Sequence, residues 1–471
     1  MSKVSQVNKY ATRVFLLSFE VALLLRMVIL YSLIDSKFDT ALFSVIAVLG
    51  GFVFVCNAIE WLQRREAPNI LLMIIILAMV VSTLLTPEAS LIGNAKMVIW
   101  QVIYFFIIYY IGKHQDPALF RWFENIVMVY WTVAVIFSLC LFFVKYSYTA
   151  PLSKIYYGLR LGIVENRLYG IFVEPNFASN LSVIVCVLMI KRMLSQRPHL
   201  HNAWYIVGLI LQFVYIVLSG SRSALLDGCA IAFVAIFIIC YGSEQASSWL
   251  KRWGKSILSG VIAVVVIVGA NYAVKLTLPH LVVPTRIAFL ENLSKGQADK
   301  QESGDVSLER EDITSNGDSS NGRLSLWKSA LEITKTSPVW GGSPNDFIKY
   351  GQRKLPKSYI SIHGQTPHNF VLLTLVGSGL LGAIPLVIFM IMKAIALIRA
   401  LFKTRGMRDI DFILMAIIPI DMVLFASLMP DLIYENRIGA LCFWLFLGLV
   451  TLGKQPGEER NDFHIGNYSA R

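Results

Sequence analysis

Apolar stretches about twenty residues long recur from one end of this sequence to the other, and such a stretch, rising about 1.5 Å per residue as a helix, crosses the hydrocarbon core of a bilayer. Twelve can be counted, near 12–34, 39–61, 68–86, 94–112, 124–145, 176–194, 202–219, 222–241, 255–275, 369–392, 411–429 and 434–453. Backbone N–H and C=O groups inside lipid must be satisfied within the chain, which leaves the helix as the spanning element here. The expected fold class is therefore an all-α integral membrane protein with about 12 transmembrane helices. Mean hydropathy of +0.62 and a charged fraction of 15% exclude an ordinary soluble domain. The first segment is too long, and lacks the small-residue cleavage site, for a removable signal peptide, so it is expected to stay as an anchor.

The formal net charge of +12 would suggest nucleic acid in a soluble chain, but the placement of the basic residues explains it otherwise. Lys3, Lys9 and Arg13 precede the first span. Arg64 and Arg65, Lys113 and Arg121, Lys191, Arg192 and Arg197, Lys251, Arg252 and Lys255, and the group Lys393, Arg399, Lys403, Arg405 and Arg408 then fill every second loop. The positive-inside rule puts both termini in the cytoplasm, and the tail with Lys454, Arg460 and Arg471 closes on the same side. No nucleic-acid partner is implied. The six cysteines, Cys56, Cys140, Cys186, Cys229, Cys240 and Cys442, all lie in apolar segments, which suggests packing rather than a disulfide frame or a metal set.

This topology divides the chain into nine spans over 1–275, a large extracytoplasmic loop over 276–368, three spans over 369–453 and a cytoplasmic tail over 454–471. The first part of the loop, 291–322, is polar and acidic and reads as flexible chain. Over 323–337 the composition changes, with Leu324, Leu326, Trp327, Ala330, Leu331 and Ile333 at the spacing of one helical face. Pro338 follows the expected end of that amphipathic helix, and Gly341-Gly342 supply a turn.

Several charged residues sit where topology alone does not need them. Arg222, in "SGSRSALLDG", begins the eighth span at its outer end. An arginine snorkelling to the headgroups is one reading. Arg160 and Arg167 in the other sizeable outer loop, Arg323 at the start of the loop helix and Arg437 at the last outer turn suggest another. Guanidinium forks suit phosphate oxygens, so five of them converging would make a pyrophosphate clamp. Glu165, Glu174, Asp227, Asp431 and Glu435 are the acidic companions on that side, and Asp227 reads as half of a structural ion pair with another span. Three histidines, His280, His363 and His368, are available there for proton transfer. His368 and Asn369 follow Pro367 at the start of span ten, which delivers them to a fixed place at the membrane surface. A zinc pair of His363 and His368 lacks a third ligand at suitable spacing. Glu20, Arg26 and Asp421 fall inside spans, and a buried polar network holding the bundle is the preferred account of them over an ion path.

Four pieces together resemble the O-antigen ligase and polymerase superfamily of membrane glycosyltransferases. They are "YGIFVEPNFASNLSVI", similar to the family's Gly-x-Phe-x-acid-Pro-Asn segment; "SGSRSALL", similar to its Ser-Arg turn before a helix; "GRLSLWKSALEITKTSPVWGGSPNDF", similar to its loop helix; and "HNFVLLTLVGSGLLGAIPL". They span residues 170–388, and the sequence departs from the family in Gly341-Gly342-Ser343, where many members read Gly-x-Gly, and in its acidic insert at 291–322. The resemblance implies a fold like that of the all-helical membrane glycosyltransferase (GT-C-like) class and a bacterial cytoplasmic membrane location with the site facing outward. It also implies a metal-independent, cofactor-free reaction. The donor would be a glycan on undecaprenyl pyrophosphate, and the acceptor a second glycan. Arg222 and Arg323 match the pyrophosphate-binding arginines, and His368 matches the catalytic histidine, which would deprotonate the acceptor hydroxyl as it attacks with inversion. Arg160, Arg167, Glu174, Asn369 and Arg437 stand as supporting groups.

The reading that follows is a polymerase that builds a capsule, exopolysaccharide or O-antigen from lipid-linked repeat units. The alternative is a ligase passing the finished glycan to lipid A core. A flippase and a chain-length regulator are the protein partners such a role implies. A transporter or flippase would concentrate its functional charges near mid-membrane between repeats, whereas here they gather at the outer mouth.

Overall fold

The computed structural model describes residues 3–86, 90–114, 116–150, 158–195, 202–243, 248–281 and 322–453, so most of the expected flexible acidic stretch lies outside the described residues. A helix meets each of the twelve apolar segments. In chain order they are α1 (Lys3–Arg26), α2 (Ser36–Arg64), α3 (Ile70–Leu85), α4 (Leu91–Ile103), α5 (Tyr109–His114), α6 (Pro117–Phe143), α7 (Pro175–Ser195), α8 (Asn202–Leu218), α9 (Arg222–Ser243) and α10 (Trp249–Thr277). The loop contributes α11 (Arg323–Thr336), α12 (Phe347–Lys354) and α13 (Tyr359–His363), and α14 (Phe370–Phe402), α15 (Ile410–Ala426) and α16 (Ile438–Leu452) complete the bundle. One π-helical turn, Tyr104–Ile108, joins α4 to α5 in a single apolar rod. Among the described residues seven helical segments are long and apolar enough to cross a membrane, while α3, α8 and α16 are apolar but shorter.

Three expectations need correction. The first apolar segment does not run as helix to residue 34, because α1 ends at Arg26 and a 3₁₀ turn, Ile29–Leu33, follows. Arg26 is consequently at a helix end, where its guanidinium donates to both carboxylate oxygens of Asp39 at 2.9 and 2.7 Å and lies over the Phe43 ring. It does not join Glu20 in a network; Asp421, for its part, accepts from Asn180 of α7 at 2.9 Å. The fold is also not purely helical. Between α6 and α7 the chain forms a three-stranded antiparallel sheet of β1 (Ser147–Ala150), β2 (Leu159–Val164) and β3 (Arg167–Gly170). Glu165 and Asn166 both take left-handed φ in the two-residue connection of β2 to β3, which matches the right-handed twist of a hairpin.

This sheet is fastened to the bundle at the stretch that enters α7. Ser138 of α6 accepts the Ile171 N–H at 3.1 Å, Phe172 stacks on Trp131 at 4.5 Å, and the Trp131 indole donates to Ser182 of α7 at 2.9 Å. The aromatic core of Phe19, Tyr104, Phe105, Trp131, Phe172, Tyr215, Phe389 and Trp444 is closed to solvent throughout.

The loop is docked as firmly. α14 is interrupted at Gly379, whose φ of 61° and ψ of −163° leave the helical region. The N–H groups of Leu380 and Leu381 lose their helical acceptors there and donate instead to the Pro338 and Val339 carbonyls at 2.9 and 3.0 Å, while Gly342 N–H donates back to the Val376 carbonyl at 2.8 Å. A Cβ built on Gly341 would lie 2.5 Å from the Gly379 nitrogen, and one on Gly379 would meet the Val339 carbonyl. Ser82 of α3 donates to the Gly377 carbonyl and accepts from Ser343 N–H, and Asn94 of α4 accepts from both the Ser343 hydroxyl and Asn345 N–H. The "SPVWGGSPN" strap thus supplies the hydrogen bonds that a broken helix lacks, the condition for irregular backbone among membrane helices.

Candidate functional site

Apart from Arg160 and Arg167, which lie on β2 and β3, each candidate side chain sits at a helix start or a turn. Arg222 and Arg323 are the first residues of α9 and α11, Glu174 and Asn176 flank the start of α7, His368 precedes Asn369 at the start of α14, and Arg437 precedes α16. Asn369 is the N-cap of α14: its Oδ1 accepts from Val371 and Leu372 N–H, both at 3.0 Å, and its Nδ2 donates to the Ser427 carbonyl after α15. That double anchorage fixes the preceding residue, and His368 is held in the left-handed region with φ of 49°.

Two of the predicted arginines act on that imidazole electrostatically. Burial, with the Arg323 and Arg437 guanidiniums adding to it, lowers the His368 pKa to about 4, so the ring is neutral at physiological pH and both arginines lie in its electrostatic reach. His368 Nδ1 is shielded from solvent and has no hydrogen-bond partner among the described residues. Arg323 rests one guanidinium nitrogen 3.8 Å from the Met429 sulfur. Asp227, 4% exposed and with Oδ2 unpartnered among the described residues, lies in the electrostatic reach of Arg323 on the loop helix and of Asp421 on α15. Trp327, one turn after Arg323, likewise has an indole N–H that is buried and unpartnered among the described residues.

Arg437 is the best compensated cation of the group. Burial opposes its charge, but Glu435, at 3.1 Å, with Asp431 and Glu174, holds it firmly protonated, and its guanidinium lies 3.9 Å from the Phe177 ring centre. Burial pushes the Asp431 carboxyl up to about 7 against the pull of Arg437. Arg437, Asp431 and Asn180 line a small cavity together with Met27, Phe177 and Gly439.

Among the described residues, Arg160 and Arg167 bind partners on the sheet and at the starts of neighbouring helices, and Arg222 is exposed. Arg160, on β2, donates to Glu165 and, at 2.7 Å, to the Tyr169 hydroxyl. Arg167 is 7% exposed and turned inward, with Nε donating to the Ser219 carbonyl and Nη2 to Asn176 Oδ1, both at 2.8 Å. Arg222 is exposed on the first turn of α9 and has no ion-pair partner among the described residues. His363 is exposed, bonded through Nδ1 to the Tyr359 carbonyl and stacked on the Tyr359 ring at 3.9 Å. Among the described residues no group of three or more His, Cys, Asp or Glu side chains is arranged to hold a metal.

The arrangement therefore offers a neutral base, two neighbouring cations and a third, exposed cation on an adjoining helix start. The starts of α7, α9, α14 and α16 also carry the positive end of the helix dipole, which favours an anion. Sequence reasoning missed Asn176, Tyr169 and Trp327 as contributors, although all three stand inside the quoted motifs. Residues 207–387 match the family model described as O-antigen ligase, a stretch that includes Arg222, Arg323, His368 and Asn369 and leaves Arg160, Arg167, Glu174 and Arg437 outside it. No curated protein matches the chain.

Proposed function

Because the O-antigen ligase domain at residues 207–387 puts this multi-pass membrane chain in the O-antigen ligase and polymerase superfamily of glycosyl-transferring enzymes, we propose that it polymerises undecaprenyl-pyrophosphate-linked repeat units into a surface polysaccharide at the outer face of the bacterial cytoplasmic membrane. The observation that carries this is the convergence of Arg323, Arg437 and a neutral, shielded His368 from three separate parts of the chain.

In the reaction the acceptor hydroxyl attacks the anomeric carbon of the donor on the face opposite the pyrophosphate. The new C–O bond forms as the bond to the leaving oxygen breaks, so the outcome is inversion. His368 takes the hydroxyl proton, and the electron pair of the broken bond goes to the pyrophosphate. Arg323 and Arg222 stabilise the charge that develops there, the term that contributes most in sites built this way. The incoming anion also offsets the two guanidiniums that suppress the His368 basicity, so the base strengthens when the donor is in place.

Transfer of a finished glycan to lipid A core is the second reading, favoured by the description of the matched family. The two separate on a polysaccharide gel from cells that lack their own enzyme and carry this chain, intact or as His368→Ala, Arg222→Ala or Arg323→Ala at matched membrane levels. Restored long glycan, with single lipid-linked repeats left by the variants, supports the polymerase. Long lipid-linked chains that persist without an acceptor in the variants identify a ligase, and a normal ladder in all three variants removes the site.

A further inference from the structure

Arg167 was grouped with the anion-binding arginines on its sidedness, yet it lies 7% exposed with its fork spent on two fixed acceptors. One is the backbone carbonyl of Ser219, three residues before Arg222 in the turn from α8 to α9. The other is Asn176 Oδ1 at the start of α7. The Asn176 amide is itself oriented, because its Nδ2 donates to Glu174 Oε1 at 2.6 Å, which leaves Oδ1 facing Arg167. Glu174 Oε2 accepts the Phe177 N–H at 2.9 Å and so is held in turn by the first turn of α7.

The Ser219–Ser221 turn is closed from its other side as well. Ser179 of α7 donates to the Ser219 hydroxyl at 2.6 Å, and that hydroxyl donates to the Ile216 carbonyl at 2.7 Å and accepts the Ser221 N–H at 3.2 Å. Gly220 takes φ of 64° between them. Ser219 and Ser221 are buried, and Arg222 is the first exposed residue beyond the locked turn. A long, solvent-facing guanidinium gains most from a rigid base, since a fixed Cα removes backbone freedom that anion binding would otherwise have to restrict.

We propose that Arg167 is a positioning residue for donor binding: with Asn176 and Glu174 it fixes the Ser219–Ser221 turn to the start of α7 and so sets the place from which Arg222 reaches the pyrophosphate. This rests on the reading of Arg222 as a pyrophosphate ligand. Arg167 touches no substrate itself, and its effect passes through Arg222.

The test is steady-state kinetics of the full-length chain in detergent or nanodiscs with a lipid-pyrophosphate glycan donor, rates being expressed per folded enzyme. Arg167→Ala is expected to raise the donor KM by about tenfold with kcat changed by less than about threefold, and to add less than about twofold in an Arg222→Ala background. Arg167→Lys keeps the charge but reaches one acceptor only, so its KM falls between those of the intact chain and Arg167→Ala, and it serves as the folded comparison if the alanine variant is unstable. Multiplicative losses in the double variant overturn the proposal, because Arg167 would then hold substrate independently. An unchanged donor KM for both Arg167 variants overturns it too, leaving Arg167 with a purely structural part. If Arg222→Ala itself leaves the donor KM untouched, it is the pyrophosphate reading of Arg222 that fails, and the coupling falls with it.

Discussion

His368 is a weak base in the free site because burial and two guanidiniums all disfavour its protonated form. On the proposed function a bound pyrophosphate would offset that positive charge and raise the pKa. The base must be deprotonated to act, so activity falls as pH drops through its pKa. The acid limb of kcat/KM, which reports the free enzyme, is therefore expected near pH 4, and the acid limb of kcat, which reports the bound state, at distinctly higher pH. Superimposed limbs would show that Arg323 and Arg437 do not set the basicity of the ring. Asn369 supports the same residue mechanically, and Asn369→Ala should cost about 1 kcal/mol of stability for the lost cap together with a larger loss of kcat, because His368 loses its anchored neighbour. A thermal melt and single-turnover rates separate the two effects. The sequence pointed to His368 and Asn369 through Pro367, which fixes where the chain meets the helix. It could not distinguish Arg167 from Arg222, since both are arginines on the same side and only burial tells a strut from a ligand.

At the level of elements, the helices were legible because lipid leaves an apolar run few other choices, and every predicted apolar segment carries one. Their ends were less so: α1 stops at Arg26 where Asp39 captures its guanidinium, a contact between residues on different helices that hydropathy does not register. The hairpin before α7 was missed because its turn reads Glu165-Asn166, with no glycine to announce left-handed backbone. The strap that mends α14 was legible only as glycines. It makes a sharp prediction. Gly379→Ala puts a Cβ against the Val339 carbonyl at positive φ with extended ψ, a conformation essentially confined to glycine that costs about 1–3 kcal/mol before any clash is counted. Reduced thermal stability and loss of transfer are expected together, because the strap carries Arg323 on one side and meets the His368 helix on the other. Gly51→Ala is the control. Its Cβ meets nothing within 4 Å, and alanine is the better helix former by about 1 kcal/mol, so stability should hold or rise. Equal losses in both variants would reduce the strap to an ordinary stretch of packing.

For the whole molecule, the matched stretch contains His368, Arg323 and Arg222, while the sheet, the start of α7 and the turn before α16 lie outside it in sequence. On the proposed function these parts form one glycosyl-transfer site acting on a lipid pyrophosphate. The measurement that tests it most directly is the release of free lipid pyrophosphate from a lipid-linked glycan donor by the purified chain in liposomes, with acceptor present, for the intact protein, His368→Ala and Arg323→Ala. The account predicts acceptor-dependent release by the intact chain that falls by about 10²–10⁴-fold for His368→Ala, the range of a positioned general base, and falls strongly for Arg323→Ala. Release at the intact rate from both variants would contradict it, and the chemistry would then have to lie elsewhere in the bundle.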